Sequence, residues 1–186
     1  MHSTNRISLA VASVSIAALA LVGCSSPAPE SSPPETVDSV IVDAPEETAP
    51  ESIFEDSVLT TPEVTIKITD VKTIAAGEVG NEYSDVPVIA FWYEVTNVAG
   101  EDVTPSEWLF SFTAYQDNDP NVENELNVGS LPDDSFLDTQ MEKIKQGGTV
   151  ANAVAYELTD TTTPVKLVAS DDLGMTEIGT MTFELK

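Results

Sequence analysis

Histidine, arginine and cysteine are almost missing from this chain. The single histidine is His2, the single arginine is Arg6 and the single cysteine is Cys24, all near the N-terminus. Beyond Cys24 there is no imidazole, no guanidinium and no thiol. That removes Cys–His and Ser–His–Asp catalysis, zinc held by His or Cys, and bidentate arginine recognition of phosphate or carboxylate. With no second cysteine to pair, the domain must rely on its core alone. Positive charge is equally scarce. Seven Lys and Arg stand against 32 Asp and Glu, a formal net charge of -25. Such a surface repels phosphates, which argues against nucleic acid as a partner. It argues in the same way against direct docking on anionic lipid headgroups. The charge reads better as keeping the domain soluble and apart from an anionic envelope.

What is present begins with an uncharged run. Met1 to Arg6 is a short segment carrying one arginine, and Ile7 to Gly23 follows with only small or aliphatic side chains. This is the layout of a secretory signal peptide. Its 17 uncharged residues lie at the low edge of what crosses a bilayer. The Ser25-Ser26-Pro27 that follows leads into acids, with no Lys or Arg to stop transfer. The run ends in Leu21-Val22-Gly23-Cys24, which resembles the bacterial lipobox. That resemblance implies cleavage between Gly23 and Cys24 and a diacylglyceryl group on the Cys24 sulfur. Two acyl chains give stable anchoring where one gives marginal binding. Residues 1–23 are thus expected to be a cleaved lipoprotein signal peptide. The mature chain is expected to be tethered at the extracytoplasmic face of the cell membrane.

Residues 24–60 are rich in Pro, Ser, Glu and Asp, contain no Lys or Arg, and offer few apolar residues to bury. They read as a disordered acidic tether, kept extended by proline and self-repulsion. As a coil this segment would reach roughly 30 to 35 Å on average. A short apolar patch, Ile53-Phe54 with Val58-Leu59, could dock on the domain, but the plainer reading is a spacer that holds the domain off the membrane.

From residue 61 to residue 186 the texture becomes period-two alternation, the signature of half-buried strands. Val64, Ile66 and Ile68 form one inward face. Val86 to Thr96 is apolar on both faces, with Ile89, Phe91, Tyr93 and Val95 opposite Val88, Ala90 and Trp92, and this predicts a central strand. Trp108 to Gln116 alternates as well and predicts another core strand. Gly147-Gly148 opens a strand from Thr149 to Glu157. Val165 to Ala169 and Thr180 to Leu185 add two more around the turn Asp171-Asp172-Leu173-Gly174. Six or seven short strands separated by turn residues predict an all-β, antiparallel β-sandwich. The helix candidate is a short turn near Ser135 to Lys145.

The stretch from Asp117 to Gly148 is long for a connection inside a compact domain, and such loops are usually functional or disordered. Its Asp117, Asp119, Asn121 and Glu123 alternate as oxygen ligands do in a Ca²⁺ loop. However, Val122 stands where an EF-hand needs its turn glycine, and Val128 where it needs its last carboxylate. A solvated acidic loop is the plainer reading. Trp92, Tyr93 and Trp108 could stack on a sugar, though a Trp on a central sandwich strand is more often core. Gln116 and Asn97 end strands, where capping and turn roles are the ordinary explanation.

Three short marks carry a family resemblance. One strand ends in Thr96-Asn97 and a turn, another ends in Tyr115-Gln116 and a polar loop, and a glycine turn precedes a strand carrying Ala155-Tyr156-Glu157-Leu158. Over roughly Val64 to Leu185 this pattern resembles a family of small immunoglobulin-like lipoproteins of unknown function, common in Gram-positive bacteria. Family members often carry Pro-Gly where this chain has Gln146-Gly147. The resemblance implies an immunoglobulin-like sandwich and no catalytic residues. The expected function is therefore a membrane-anchored, non-enzymatic module that binds a protein or envelope ligand through its loops, with no cofactor. The alternatives are a Ca²⁺-binding surface domain and, behind it, a cell-wall glycan enzyme using two carboxylates.

Overall fold

The computed structural model describes residues 51–100, 102–170 and 176–186. The signal segment, Cys24 and the 171–174 turn lie outside the described residues. The strands are β1 (Ile53–Glu55), β2 (Val58–Thr60), β3 (Val64–Ile74), β4 (Val88–Asn97), β5 (Phe112–Gln116), β6 (Thr149–Glu157), β7 (Val165–Ser170) and β8 (Glu177–Phe183). They form a five-stranded sheet in the order β1-β2-β3-β4-β6 and a three-stranded sheet in the order β5-β7-β8. Every pairing is antiparallel. The fold is an antiparallel β-sandwich.

Alternation explains the core. Ile89, Phe91, Tyr93 and Val95 of β4 all face inward, between Ile66 and Ile68 of β3 and Val154 and Tyr156 of β6. The opposite face of β4 is apolar too, because Val88 and Ala90 pack with Ala155, Ile74 and Trp92 in a second, smaller cluster. β4 lies between β3 and β6, which makes it the central strand its composition predicts. In β3, Thr69 is the extra residue of a bulge between Ile68 and Asp70, and the bulge returns Val71 to the core side.

Trp108 is fully buried at the centre of the sandwich. Its ring meets Tyr93 at 4.5 Å, Phe112 at 4.4 Å and Phe91 at 5.4 Å between centroids. Its indole N–H donates to Tyr156 Oη at 2.9 Å. The backbone that delivers it is not the expected strand. Pro105–Glu107 is a 3₁₀ turn and Trp108–Ser111 a helical turn, α1, so β5 begins at Phe112. Pro105 supplies a preset φ at the first helical position. The helical period then buries Trp108, Ser111 and Phe112 while Leu109 and Phe110 stay about half exposed. Alternation and helical spacing coincide at Trp108 and Phe112, and packing of the indole decides between them.

The sheet also takes in Ile53 to Thr60, the end of the segment expected as tether. Asp56 and Ser57, with φ of 49° and 64°, form a two-residue hairpin turn between β1 and β2. Phe54 and Leu59 are buried there. Phe54 stacks edge-on against Phe112 at 5.1 Å, and Ser57 Oγ donates to Met181 Sδ of β8 at 3.4 Å. This hairpin brings one side of the larger sheet against β8.

The other side is joined by the long 117–148 segment. Gln116 N donates to Asn124 O at 3.0 Å and Leu126 N to Ala114 O at 2.8 Å, so residues 124–126 extend the β5 edge. Gly129 N donates to Ala155 O and Glu157 N to Asn127 O, both at 2.8 Å, so residues 127–129 extend the β6 edge. One stretch of chain thus satisfies the edges of both sheets. The expected helix near Ser135 to Lys145 is a 3₁₀ turn at Asp134–Phe136, capped by Asp133. A run of hydrogen-bonded turns through Glu142 follows it. No helix among the described residues is long and apolar enough to cross a membrane.

Candidate functional site

The acidic segment predicted from spacing lies at one end of the sandwich, beyond β5. Asp117, Asp119, Asn121 and Glu123 line a shallow cavity of about 300 Å³ with Tyr115 and Lys166. Asp119 Oδ1 accepts from the backbone N of Asn121 at 2.8 Å and from its Nδ2 at 3.3 Å. These bonds lower the Asp119 pKa from the ordinary carboxylate value. Asp119 therefore closes its own turn. Among the described residues no three acidic side chains gather closely enough to hold a metal ion. Lys166 Nζ stands 5.5 Å from the Tyr115 ring centroid.

Behind this loop is a dense network of amides. Gln116 is completely buried. Its Nε2 donates to the carbonyls of Asp160 and Thr163 at 3.1 and 2.8 Å, and its Oε1 accepts from Thr159 N at 2.8 Å and Thr159 Oγ1 at 2.9 Å. Asn118 Nδ2 donates to Asp160 Oδ2 at 2.7 Å, and Asn124 Nδ2 to Thr159 Oγ1 at 2.8 Å. The bond from Asn118, with others from the backbone of Thr163 and Thr162, holds the Asp160 carboxyl well below the usual carboxylate range. Gln116 thus stands in for a strand partner and holds the loop that joins β6 to β7.

Asn97 does the same at the opposite end of β4. It is completely buried, its Nδ2 donates to Ile144 O at 2.7 Å, and its Oδ1 accepts from Gly100 N at 2.8 Å. Gly100 has φ of +87°, a left-handed conformation that glycine takes without strain. The capping and turn roles expected for Asn97 and Gln116 are what the geometry shows.

The three candidate stacking aromatics separate. Tyr93 and Trp108 belong to the core. Trp92 lies half-buried on the outer face of the larger sheet, in a groove of about 440 Å³. Lys72 Nζ sits 4.8 Å from its ring centroid, and its indole N–H donates to Asp133 Oδ2 at 3.2 Å. Bonds from Ser135 and Trp92 lower the Asp133 pKa, which suits an ionised acceptor and not a proton donor. The 129–133 loop forms the groove wall. Pro132 O lies only 2.6 Å from where a Cβ on Gly80 would be, so that position accepts glycine alone.

One polar residue escapes the sequence signals. Asn152 projects from β6 among core residues and is 3% exposed. Its Nδ2 donates to Tyr93 Oη at 3.2 Å, and Tyr93 in turn donates to Pro105 O at 2.9 Å. Asn152 Oδ1 is buried and has no partner. An orphaned polar atom of this kind generally costs about 1–3 kcal/mol. The available signal was an amide at an inward position between Val150 and Val154.

The fold and these polar ends define a class: an antiparallel β-sandwich whose buried amides pin the loops at its two ends. The chain belongs to the family described as a domain of unknown function (DUF5067), whose model matches residues 40–171 and takes in β1 and β2. Among solved structures, it is similar to "a putative lipoprotein from Staphylococcus aureus subsp. aureus NCTC 8325", with a TM-score of 0.61 and 21% identity. That similarity covers 72% of this chain and 92% of the other, and it shows a shared fold. No curated protein matches the chain.

Proposed function

We propose that this chain is a lipid-anchored extracytoplasmic protein whose sandwich works by binding and not by catalysis. The observation that carries the proposal is Cys24, the single cysteine, standing behind Leu21-Val22-Gly23 at the end of an uncharged run. Residues 1–23 are the signal peptide in this reading and Cys24 carries the diacylglyceryl group. The acidic segment after Cys24 is the tether that holds the sandwich, of immunoglobulin-like type, off the membrane. The similar Staphylococcus aureus structure, named for a lipoprotein, supports the anchor. The absence of imidazole, guanidinium and free thiol beyond Cys24 supports a binding role. The partner is a protein or another envelope component, engaged through the loops.

The anchor is tested by Cys24→Ser. The variant is expected to be released from membranes or to remain unprocessed. A variant that stays membrane-bound at the mature mass would overturn the assignment. The binding role is tested by crosslinking on intact cells, where a reproducible partner is expected and its repeated absence counts against the role.

A further inference from the structure

A small cavity of about 90 Å³ opens beside the start of α1. Ser106, Leu109, Val128, Leu131, Gln140 and Ala153 are among the residues that line it, and no lining residue is charged. Exposed apolar side chains gather here. Leu109 and Val128 are about half exposed. Met141 is 70% exposed and is held beside Ser106 by a 3.1 Å contact from Ser106 Oγ to its sulfur. Surface hydrophobics scattered singly mean little, but several gathered around a concave, uncharged patch mark an interaction surface.

The polar side chains of the lining are already engaged. Ser106 Oγ donates to Gln140 O at 2.9 Å, and Gln140 Nε2 donates to Leu137 O at 3.4 Å. Tyr93 Oη donates to Pro105 O at 2.9 Å and accepts from Asn152 Nδ2 at 3.2 Å. The remaining amide oxygen, Asn152 Oδ1, is buried out of reach of a ligand. An occupant would therefore be held by burial of carbon and not by hydrogen bonds to these side chains. The volume is that of about three waters at roughly 30 Å³ each, room for one aliphatic side chain such as leucine.

Charge decides what carries that side chain. Glu107 follows Ser106 and Glu142 follows Met141, so carboxylates adjoin the apolar residues. The lysine beside Glu142, Lys143, is already paired with Asp102. A second copy of this chain would bring the same acids against these acids, each molecule with a net charge of -25, and an anionic lipid surface would be repelled in the same way. A basic protein segment would be attracted. We propose that this surface docks a segment of a partner protein that presents one aliphatic side chain between basic residues, the aliphatic group entering the cavity and the basic groups meeting the carboxylates. One apolar anchor in a pocket, ringed by polar contacts, is how protein interfaces concentrate their affinity. The inference deepens the binding role proposed above and rests on it, but not on the lipid anchor.

The test is an NMR titration of the full-length chain with synthetic peptides. The first holds a leucine between pairs of lysines, the second an alanine between the same lysines, and the third the leucine between pairs of glutamates. The leucine–lysine peptide should give saturable shifts at Leu109, Val128 and the Met141 methyl. The alanine peptide should bind about tenfold more weakly, because it leaves the cavity unfilled, and the glutamate peptide should not bind. Leu109→Ser and Met141→Ser together, both at exposed positions, should abolish the shifts. Val122→Ser, at an exposed position in the cavity beyond β5, should leave them unchanged. No saturable shift with the leucine–lysine peptide, equal binding of the alanine peptide, binding of the glutamate peptide, or shifts that survive in the double variant would overturn the proposal. So would a dimer that the double variant abolishes in analytical ultracentrifugation, or the same shifts produced by neutral phosphatidylcholine vesicles, since the occupant would then be a second copy or a lipid surface. None of these outcomes bears on membrane fractionation of Cys24→Ser or on crosslinking through other loops, so the readings fail separately.

Discussion

Tyr156 shows how one buried hydroxyl sets a pH limit on the fold. Burial pushes its pKa up to about 12, against the opposing hydrogen bond from Trp108, with the nearby Glu125 charge adding to the rise. Burial raises Tyr93 as well. Below pH 10 both phenols are neutral, folded or unfolded. Above it the unfolded chain ionises first and the folded form does not. Stability therefore falls as pH rises from about 10 to 12, by about 3 kcal/mol for Tyr156 alone. Alkaline unfolding followed by tyrosine absorbance should show these phenolates appearing together with loss of structure, and Tyr156→Phe should shift that transition upward. Gln116 gives a second test at this scale. Gln116→Ala would strand Thr159 N and the carbonyls of Asp160 and Thr163, at a cost of about 1–3 kcal/mol. Urea denaturation should read that loss, and exchange of the Thr159 amide should accelerate. The positions of these amides are plain in the sequence. Their bonds are not, because the partners of Gln116 and the carbonyl of Ile144 that Asn97 meets lie more than forty residues away.

At the scale of elements, the β1–β2 hairpin matters most. Read as composition, residues 53–60 continue an acidic, proline-rich segment, and only four apolar residues stand out. In the fold, Phe54 and Leu59 belong to the main core. Leu59→Ala is expected to destabilise by about 2–5 kcal/mol, as truncation of a buried leucine does, with a measurable fall in Tm. A loss near zero would return this segment to the tether. The helical turn at Trp108 shows the converse limit. Its alternation was legible, but a four-residue stretch serves either period. Strands β4, β6 and β7 were legible because their inward residues recur at every second position in stretches rich in β-branched or aromatic side chains.

For the whole molecule, charge is the controlling quantity. Acids outnumber bases by 25, and the ion pairs seen join exposed partners, Lys72 with Asp70 and Lys143 with Asp102, which stabilise little. Self-repulsion should therefore weaken the fold at low ionic strength. Raising salt from about 0.01 to 0.15 M shortens the screening length from about 30 to 8 Å, and Tm should rise. A fall in Tm would show that attraction outweighs repulsion on this surface. What the sequence determined by itself was the sandwich class, the inner faces of its main strands and the absence of imidazole, guanidinium and free thiol beyond Cys24. These follow from composition and from period two, which are local. Only the tertiary structure decided that the sheet begins at Ile53, that Trp108 arrives on a helical turn, and that Asn152 buries an amide oxygen without a partner. Each depends on what a residue meets across the sandwich, and contacts between distant segments leave no periodic trace along the chain.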